Sequence, residues 1–176
     1  NLIERMAILR ATVSSELGVT IPPIRIKDNL QIPANTYRIY VRGGIVGEGV
    51  VYKDRFMVVS EERKSSSIEG IEEKDPVFGL SAIWITESIR DSIGELFIQA
   101  IDPVTVVITH LSSIVDKHVS ELLTREEVSV MVQQLHASSP KLIEDVIGKT
   151  LGLSRLHHIL VSLLEEKVSV KDLSTI

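Results

Sequence analysis

The spacing of apolar residues changes at Asp102-Pro103, and this change constrains the fold more than any other feature of the chain. Before it, apolar and polar residues alternate over 37–42 and 45–51, the period of strands with one buried face. After it, apolar residues recur every three or four positions, the period of helices. The sequence therefore predicts an α+β fold, with an α/β half (1–101) followed by a helical half (102–176).

Several local signals divide the first half into elements. Gly18 ends a predicted helix that carries one apolar face. Residues 24–26 alternate like a short strand, and Asp28-Asn29 is typical of a turn. Gly43-Gly44 separates the two alternating runs, and because both glycines can take positive φ, they predict a hairpin turn. The apolar positions of the first helix are Leu2, Met6, Leu9, Val13 and Leu17.

Two more strands are predicted, over 56–59 and 81–85. The segment 61–74 between them is rich in serine and charge, and this composition predicts an exposed loop. Thr86 is placed to cap a following helix. The buried face of that helix would consist of Ile89, Ile93, Leu96 and Phe97.

The second half begins with a strong helix start, an Asp102 N-cap before Pro103 at the first helical position. A wide apolar stripe then runs over about twenty residues. Thr124 and Glu127 form a capping-box pair for the next helix. Two further helices and a brief extended piece follow, over 139–148, 153–164 and 168–170.

Composition excludes several classes of protein. The chain has 24 Asp and Glu against 19 Lys and Arg, a net charge of −5, which disfavours binding to nucleic acid or anionic lipid. It has no Cys, so it offers no disulfide, no thiolate nucleophile and no zinc site of the Cys type. No apolar run approaches the about 18 residues of a membrane span. The absence of an initiator Met leads us to expect a piece of a longer protein.

No catalytic, cofactor-binding or metal-binding constellation is evident, so we expect a protein that is not an enzyme. His110 and His118 lie eight positions apart, about 12 Å along a helix, which is too far for one metal ion. No Gly-rich phosphate loop and no nucleophile-elbow motif is present. The paired carboxylates, such as Glu72-Glu73, lie in polar surroundings unsuited to acid catalysis.

The helical half leaves one alternative open. Three helices followed by the extended piece 168–170 resemble a winged-helix module in outline, which would make the protein a nucleic-acid-binding regulator. The candidate recognition helix, 153–166, offers only Arg155 and two histidines and is dominated by leucine. A core helix is therefore the favoured interpretation.

Several segments resemble one family in order along nearly the whole chain. They are PPIRIKDNLQ (22–31), DPVFGL with AIWI (75–85) and DPVTVVITHL (102–111), with shorter matches at 144–146, 165–168 and 171–176. In these segments the chain resembles the cytoplasmic domain of the FHIPEP family, the large export-gate proteins of flagellar and virulence-associated type III secretion. The first two segments resemble flagellar members more closely.

The resemblance implies a layout of small subdomains. A membrane-embedded N-terminal half, absent from this sequence, would precede four cytoplasmic subdomains. The first, an α/β subdomain, would comprise 1–53 and 103–122 and lack its opening strand. A second α/β subdomain, 54–102, would be inserted in it, and a helical third, 123–176, would be cut short before the fourth.

The resemblance also implies a function. Family members form a nine-subunit ring below the membrane pore, at the cytoplasmic face of the bacterial inner membrane. They dock export chaperones that carry substrates, work with other components of the export apparatus, and pass substrates to a pore powered mainly by the proton gradient. No cofactor and no nucleic-acid partner is implied, and membrane contact would come only through the absent half.

Three residues match the chaperone-docking site of the family, a dimple between the first two subdomains. They are Asp75, Phe78 and Thr109. Phe78 would supply an apolar anchor, Asp75 would accept hydrogen bonds, and Thr109 would line the wall. Taken without the family, Phe78 would be a core residue and Asp75-Pro76 a simple turn. The loop 61–74 directly precedes Asp75 and would shade or extend the site.

Overall fold

The computed structural model describes residues 1–59, 68–93, 100–147 and 151–176, which contain six helices and five strands. They form two compact units. The sheet unit comprises Asn1–Leu2 and Ile26–Val115, and the helical unit comprises Ile3–Arg25 and Asp116–Ile176. In chain order the elements are α1 (Leu2–Leu17), β1 (Thr36–Val41), β2 (Gly44–Val50), β3 (Arg55–Val59), β4 (Ile71–Lys74), β5 (Ser81–Thr86), α2 (Glu87–Ile93), α3 (Pro103–Leu122), α4 (Arg125–Ser138), α5 (Pro140–Val146) and α6 (Leu153–Glu165).

This mixture of helices with small antiparallel sheets confirms the predicted α+β class. The finer division into subdomains 1–53 with 103–122, 54–102 and 123–176 stays a prediction. No helix among the described residues has the length and hydropathy needed to span a bilayer.

In the sheet unit, β1 and β2 form the predicted hairpin. Its turn lies one position earlier than predicted, because Gly44 already pairs with Val41 as the first residue of β2. The two turn residues are Arg42 and Gly43, with φ of 49° and 84°. A two-residue turn of type I′ has positive φ at both positions, so Arg42 takes a conformation that non-glycine residues rarely adopt.

The second sheet of this unit has three antiparallel strands in the order β3-β5-β4. Its central strand β5 is buried from Ala82 to Ile85. The side chains alternate between two small apolar clusters, as the period of a strand requires. Ala82 and Trp84 pack with Met57 and Val106, whereas Ile83 and Ile85 pack with Val58.

Strand β4 corrects the predicted loop over 61–74. Residues 71–74 pair with β5, from Ile71 opposite Trp84 to Lys74 opposite Ser81. The sequence of this strand is polar because its outer face meets solvent, while Ile71 packs against the buried cluster. Residues 61–67 of the predicted loop lie outside the described residues.

The short strand predicted at 24–26 is wrong, because these residues form no strand. Pro22 and Pro23 directly before them carry no backbone N–H, so a ladder could not continue back through these two positions. The predicted turn is shifted by about one residue, and Asn29 initiates it by accepting a hydrogen bond from the Gln31 N–H at 2.9 Å. The helix predicted after Thr86 is α2. Of its predicted buried face, the side chain of Ile93 and the whole of Leu96 and Phe97 lie outside the described residues.

Helix α3 begins as predicted, since Asp102 Oδ1 accepts a hydrogen bond from the Thr105 N–H at 3.0 Å. Its first part lies against β2 in the sheet unit. A Cβ atom added to Gly47 would lie 2.3 Å from Ile114 Cδ1 and 3.0 Å from the His110 ring. Glycine at this position therefore permits the close approach of helix and strand.

The helical unit is held together by apolar packing and well-formed helix ends. Thr124 and Glu127 make the predicted capping box, and Leu156, Leu160 and Leu164 of α6 are buried. Residues 168–170 form no strand, and the Val170 N–H instead donates to the Leu17 carbonyl at 2.9 Å. The strand pair of a winged helix is thus not formed by these residues, which weakens the nucleic-acid interpretation.

Candidate functional site

The six residues between β4 and β5, Asp75 to Leu80, form a tightly bonded loop in the sheet unit, which we call the β4–β5 loop. The Asp75 N–H donates to the Leu80 carbonyl at 2.8 Å and extends the ladder between the two strands by one bond. The Gly79 N–H donates to the Asp75 carbonyl at 2.9 Å. The carboxylate atom Oδ2 of Asp75 accepts the N–H of Phe78 at 2.7 Å. One residue therefore fixes the backbone of the whole loop.

The same loop presents apolar side chains to solvent. Phe78 is 76% exposed and Leu80 is 51% exposed, while Asp75 is only 5% exposed. The aromatic ring of Phe78 is thus not a core residue, which excludes the simpler interpretation of the sequence. An exposed aromatic and an exposed leucine on one short loop offer an apolar surface to a partner.

A hydrogen-bonded pair of polar side chains, Tyr37 and His110, lies beside the loop. The Tyr37 hydroxyl of β1 shares a hydrogen bond of 2.8 Å with Nδ1 of His110 on α3, and the two rings meet edge to face. His110 is buried. Burial, and secondarily the negative charge of Asp75, raise the pKa of the Tyr37 phenol. The phenol therefore stays protonated near neutral pH and remains able to hydrogen-bond.

The structure brings the three predicted site residues together only in part. Asp75 and Phe78 are joined by a direct hydrogen bond. Thr109 is exposed on α3, next in sequence to His110, and no hydrogen bond among the described residues joins it to Asp75 or Phe78. The structure thus brings Asp75 together with Phe78. Thr109 is the residue directly before His110, which is bonded to Tyr37.

Three further residues of this region were missed by the sequence analysis. For Leu80 the sequence signal is the glycine before it, because glycine allows a tight turn in which the neighbouring side chains point outward. The helical spacing around His110 predicts an ordinary packing residue, and the alternation around Tyr37 predicts only a strand. Nothing in the sequence indicates that they meet, since 73 positions separate them.

The arrangement is suited to binding another protein. No group of three or more His, Asp or Glu side chains capable of holding a metal ion occurs in the described ranges. What the β4–β5 loop offers is an apolar ring, a second apolar side chain and a backbone held in one shape. These are the features of a protein-recognition surface.

The helical unit has a concave surface of a different kind, an apolar groove of about 240 Å³. Residues of α4, α5 and α6 line it together with the last four residues of the chain. Its polar lining residues are Ser174 and Thr175, whose hydroxyl groups both bond to Asp172. The groove therefore offers apolar packing without a convergent set of polar groups.

Comparison with solved structures shows that the fold is shared. The CdsV protein of Chlamydia pneumoniae matches 99% of this chain and 52% of its own, with a TM-score of 0.84 and 23% identity. CdsV in complex with CdsO gives a TM-score of 0.79, with 99% of this chain, 54% of that chain and 24% identity. The nonameric EPEC SctV-C gives 0.67, with 99% of this chain, 52% of that chain and 18% identity.

Sequence comparison then shows the family. The FHIPEP family matches residues 1–176, and the chain belongs to that family. It is 36% identical over 176 residues to the flagellar biosynthesis protein FlhA of Bacillus subtilis, and 31% identical over 175 residues to FlhA of Escherichia coli. It covers 100% and 99% of itself in these matches but only 26% and 25% of the relatives. The chain thus spans about a quarter of their length.

Proposed function

We propose that this chain is part of the docking platform of a flagellar or type III protein-export gate, and that it binds export chaperone–substrate complexes through the β4–β5 loop. The observation that carries the proposal is the 76% exposure of Phe78 on a loop whose backbone is fixed. Membership of the FHIPEP family and similarity to FlhA proteins favour an export role. The role is one of binding and involves no catalysis.

The physical argument starts from Phe78. Burying an aromatic ring of this exposure against a partner removes a large apolar area from water, and aromatic anchors of this kind dominate binding energies at interfaces. The loop is already ordered by the three hydrogen bonds of Asp75, so little conformational entropy is lost on binding. Thr109, which is exposed on α3, is proposed to add a methyl and a hydroxyl group to the docking surface.

Self-association is the second part of the proposal. We propose that the full-length protein forms a homo-oligomeric ring of nine subunits at the cytoplasmic face of the inner membrane, where it also meets other export components. The nonameric assembly of SctV-C and the complex of CdsV with CdsO, both of the same fold, support this part. Mass photometry of the intact cytoplasmic domain would test it: a nine-subunit species is expected, and a monomer at every concentration would contradict it.

The test of docking is a titration of the intact cytoplasmic domain with a purified cognate chaperone–substrate complex. Replacing Phe78 by alanine should weaken binding by about 1–3 kcal/mol, the range of an interface hot spot. Tyr40→Ala is the matched control, because Tyr40 is an exposed aromatic residue of the other sheet of the same unit. Equal affinity of wild type and Phe78→Ala, or an equal loss for the control, would contradict the proposed site.

A further inference from the structure

We infer that Asp75 is a positioning residue that holds the β4–β5 loop in its binding shape, and that Leu80 is a second contact residue beside Phe78. The inference rests on the proposed docking function. It assigns to Asp75 a role in shaping the surface, where the sequence had suggested direct hydrogen bonds to the partner.

The burial of Asp75 and the direction of its hydrogen bonds argue for positioning. The residue is only 5% exposed, and Oδ2 accepts the Phe78 N–H at 2.7 Å. Its backbone N–H and carbonyl are engaged by Leu80 and Gly79, at 2.8 Å and 2.9 Å. A carboxylate that accepts a backbone N–H three residues ahead restrains the intervening turn, as the side chain at a helix N-cap does.

What this restraint controls is the direction of the two apolar side chains. Gly79, between Phe78 and Leu80, has φ of +70°, and a Cβ added to it would meet nothing within 4 Å. Glycine is therefore required here for backbone conformation and not for space. Phe78 and Leu80 flank this left-handed residue, so loss of the Asp75 hydrogen bond would change the direction of both exposed side chains together.

The role needs an acceptor atom and not a negative charge. The N–H of Phe78 can donate equally well to the amide oxygen of an asparagine, which occupies nearly the same volume as the carboxylate. Asp75 forms no ion pair in the described part of the chain, so neutralising it leaves no cation unpaired. The hydroxyl of Tyr37, on which the charge of Asp75 acts, is itself bonded to His110. A positioning role thus predicts that Asp75→Asn is tolerated and Asp75→Ala is not.

The experiment is a titration of the intact cytoplasmic domain with a purified chaperone–substrate complex, using five variants. We expect Asp75→Asn to bind within about twofold of wild type, and Asp75→Ala to bind about tenfold more weakly, or worse. Leu80→Ala should bind about fivefold more weakly than wild type. Phe78→Ala should bind more weakly than both Asp75→Ala and Leu80→Ala. Ile45→Ala, an exposed aliphatic of the β1–β2 hairpin, is the control and should bind as wild type does.

A second readout separates loop shape from contact. Amide hydrogen exchange of Phe78 should stay slow in Asp75→Asn and become faster in Asp75→Ala, while the amides of β5 keep their wild-type protection. Thermal unfolding of each variant shows that the domain is folded in the titration. Rescue of both affinity and Phe78 protection by asparagine is the result that positioning requires.

The outcomes distinguish the inference from the function on which it rests. Asp75→Asn binding as weakly as Asp75→Ala, with the Phe78 amide still protected, would show that the carboxylate meets the partner directly and would overturn the positioning role. Wild-type affinity of Leu80→Ala would overturn its assignment as a contact. Wild-type affinity of Phe78→Ala would overturn the proposed docking function itself.

Discussion

The two compact units bury different chemistry. Asp75 and His110, the buried polar side chains among the described residues, both belong to the sheet unit. The helical unit buries aliphatic side chains instead, with Leu156, Leu160 and Leu164 along one face of α6. A helix with such a face gains its stability from packing, whereas a buried carboxylate is tolerated only where hydrogen bonds satisfy it.

This difference separates residues that stabilise the protein from residues that recognise a partner. In the helical unit Leu156, Leu160 and Leu164 of α6 are buried, so their removal changes the free energy of unfolding. In the sheet unit a buried polar residue, Asp75, accepts the backbone N–H of Phe78, whose large apolar side chain is exposed. Phe78 should therefore contribute to affinity and hardly at all to stability. The predictions below test this separation.

The largest loss of stability is expected for Leu160→Ala. Leu160 is 0% exposed, and a buried leucine replaced by alanine leaves a cavity that lowers the free energy of unfolding by about 2–5 kcal/mol. Urea denaturation followed by circular dichroism measures it. Ile159→Ala, at a partly exposed neighbouring position of the same helix, is the control and should lose less. Equal losses for the two would show that burial on α6 does not set stability.

A smaller loss is expected for Gly47→Ala in the sheet unit. The added methyl group would meet Ile114 Cδ1 at 2.3 Å and the His110 ring at 3.0 Å, so these two side chains of α3 must shift to accommodate it. Overpacking of this kind lowers the free energy of unfolding by about 1–3 kcal/mol.

Gly44→Ala on the same strand is the control for this prediction. The nearest atom to its added Cβ is the Val41 carbonyl oxygen at 3.6 Å, an ordinary contact distance. If both alanine variants unfold at the same urea concentration as wild type, the approach of α3 to β2 is looser than described.

Removing the N-cap of α4 should have an effect of about 1 kcal/mol. In the wild type the Thr124 hydroxyl accepts the Glu127 N–H at 3.2 Å. Thr124→Ala removes this acceptor, whereas Thr124→Ser keeps a hydroxyl in place. Thermal unfolding of the two variants side by side measures the difference. Serine as destabilising as alanine would mean that the capping hydroxyl is unimportant.

The smallest effect on stability is expected for Phe78→Ala. Because the side chain is largely exposed, the free energy of unfolding should change by no more than about 0.5 kcal/mol. Phe56→Ala is the control within the sheet unit, since Phe56 packs against the cluster of β3 and β5 and lies under Arg90, with the guanidinium 4.3 Å from the ring centroid. It should destabilise the fold more. A loss for Phe78→Ala as large as for Phe56→Ala would remove the separation between recognition and stability.

Much of the fold could be predicted because its signals are local. The apolar spacing of α1, α3 and α6, the capping box at Thr124 and the Asp102 N-cap each act within a few residues of the chain, and each is confirmed. Strand β4 could not be predicted, because its polar residues become a strand only through pairing with β5. The strand predicted at 24–26 failed for the opposite reason, since alternation alone does not form a strand without a ladder.

Only part of the candidate site, likewise, could be predicted from the sequence. The position of Asp75 in a turn before Phe78 followed from the sequence, and the exposure of Phe78 was suggested only by the family resemblance. The meeting of Tyr37 with His110, and the effect of the Asp75 charge on the pKa of Tyr37, depend on three segments far apart in the chain. No local pattern encodes such a meeting, so it required the structure.

The most direct test of the central claim places a photo-crosslinking amino acid at position 78 of the intact cytoplasmic domain, with position 40 of the other sheet as the control. Each variant is irradiated with a purified chaperone–substrate complex and the crosslinked product is identified by mass spectrometry. We expect a crosslink to the complex from position 78 and none from position 40. A crosslink from position 40 without one from position 78 would contradict the assignment of the docking surface to the β4–β5 loop.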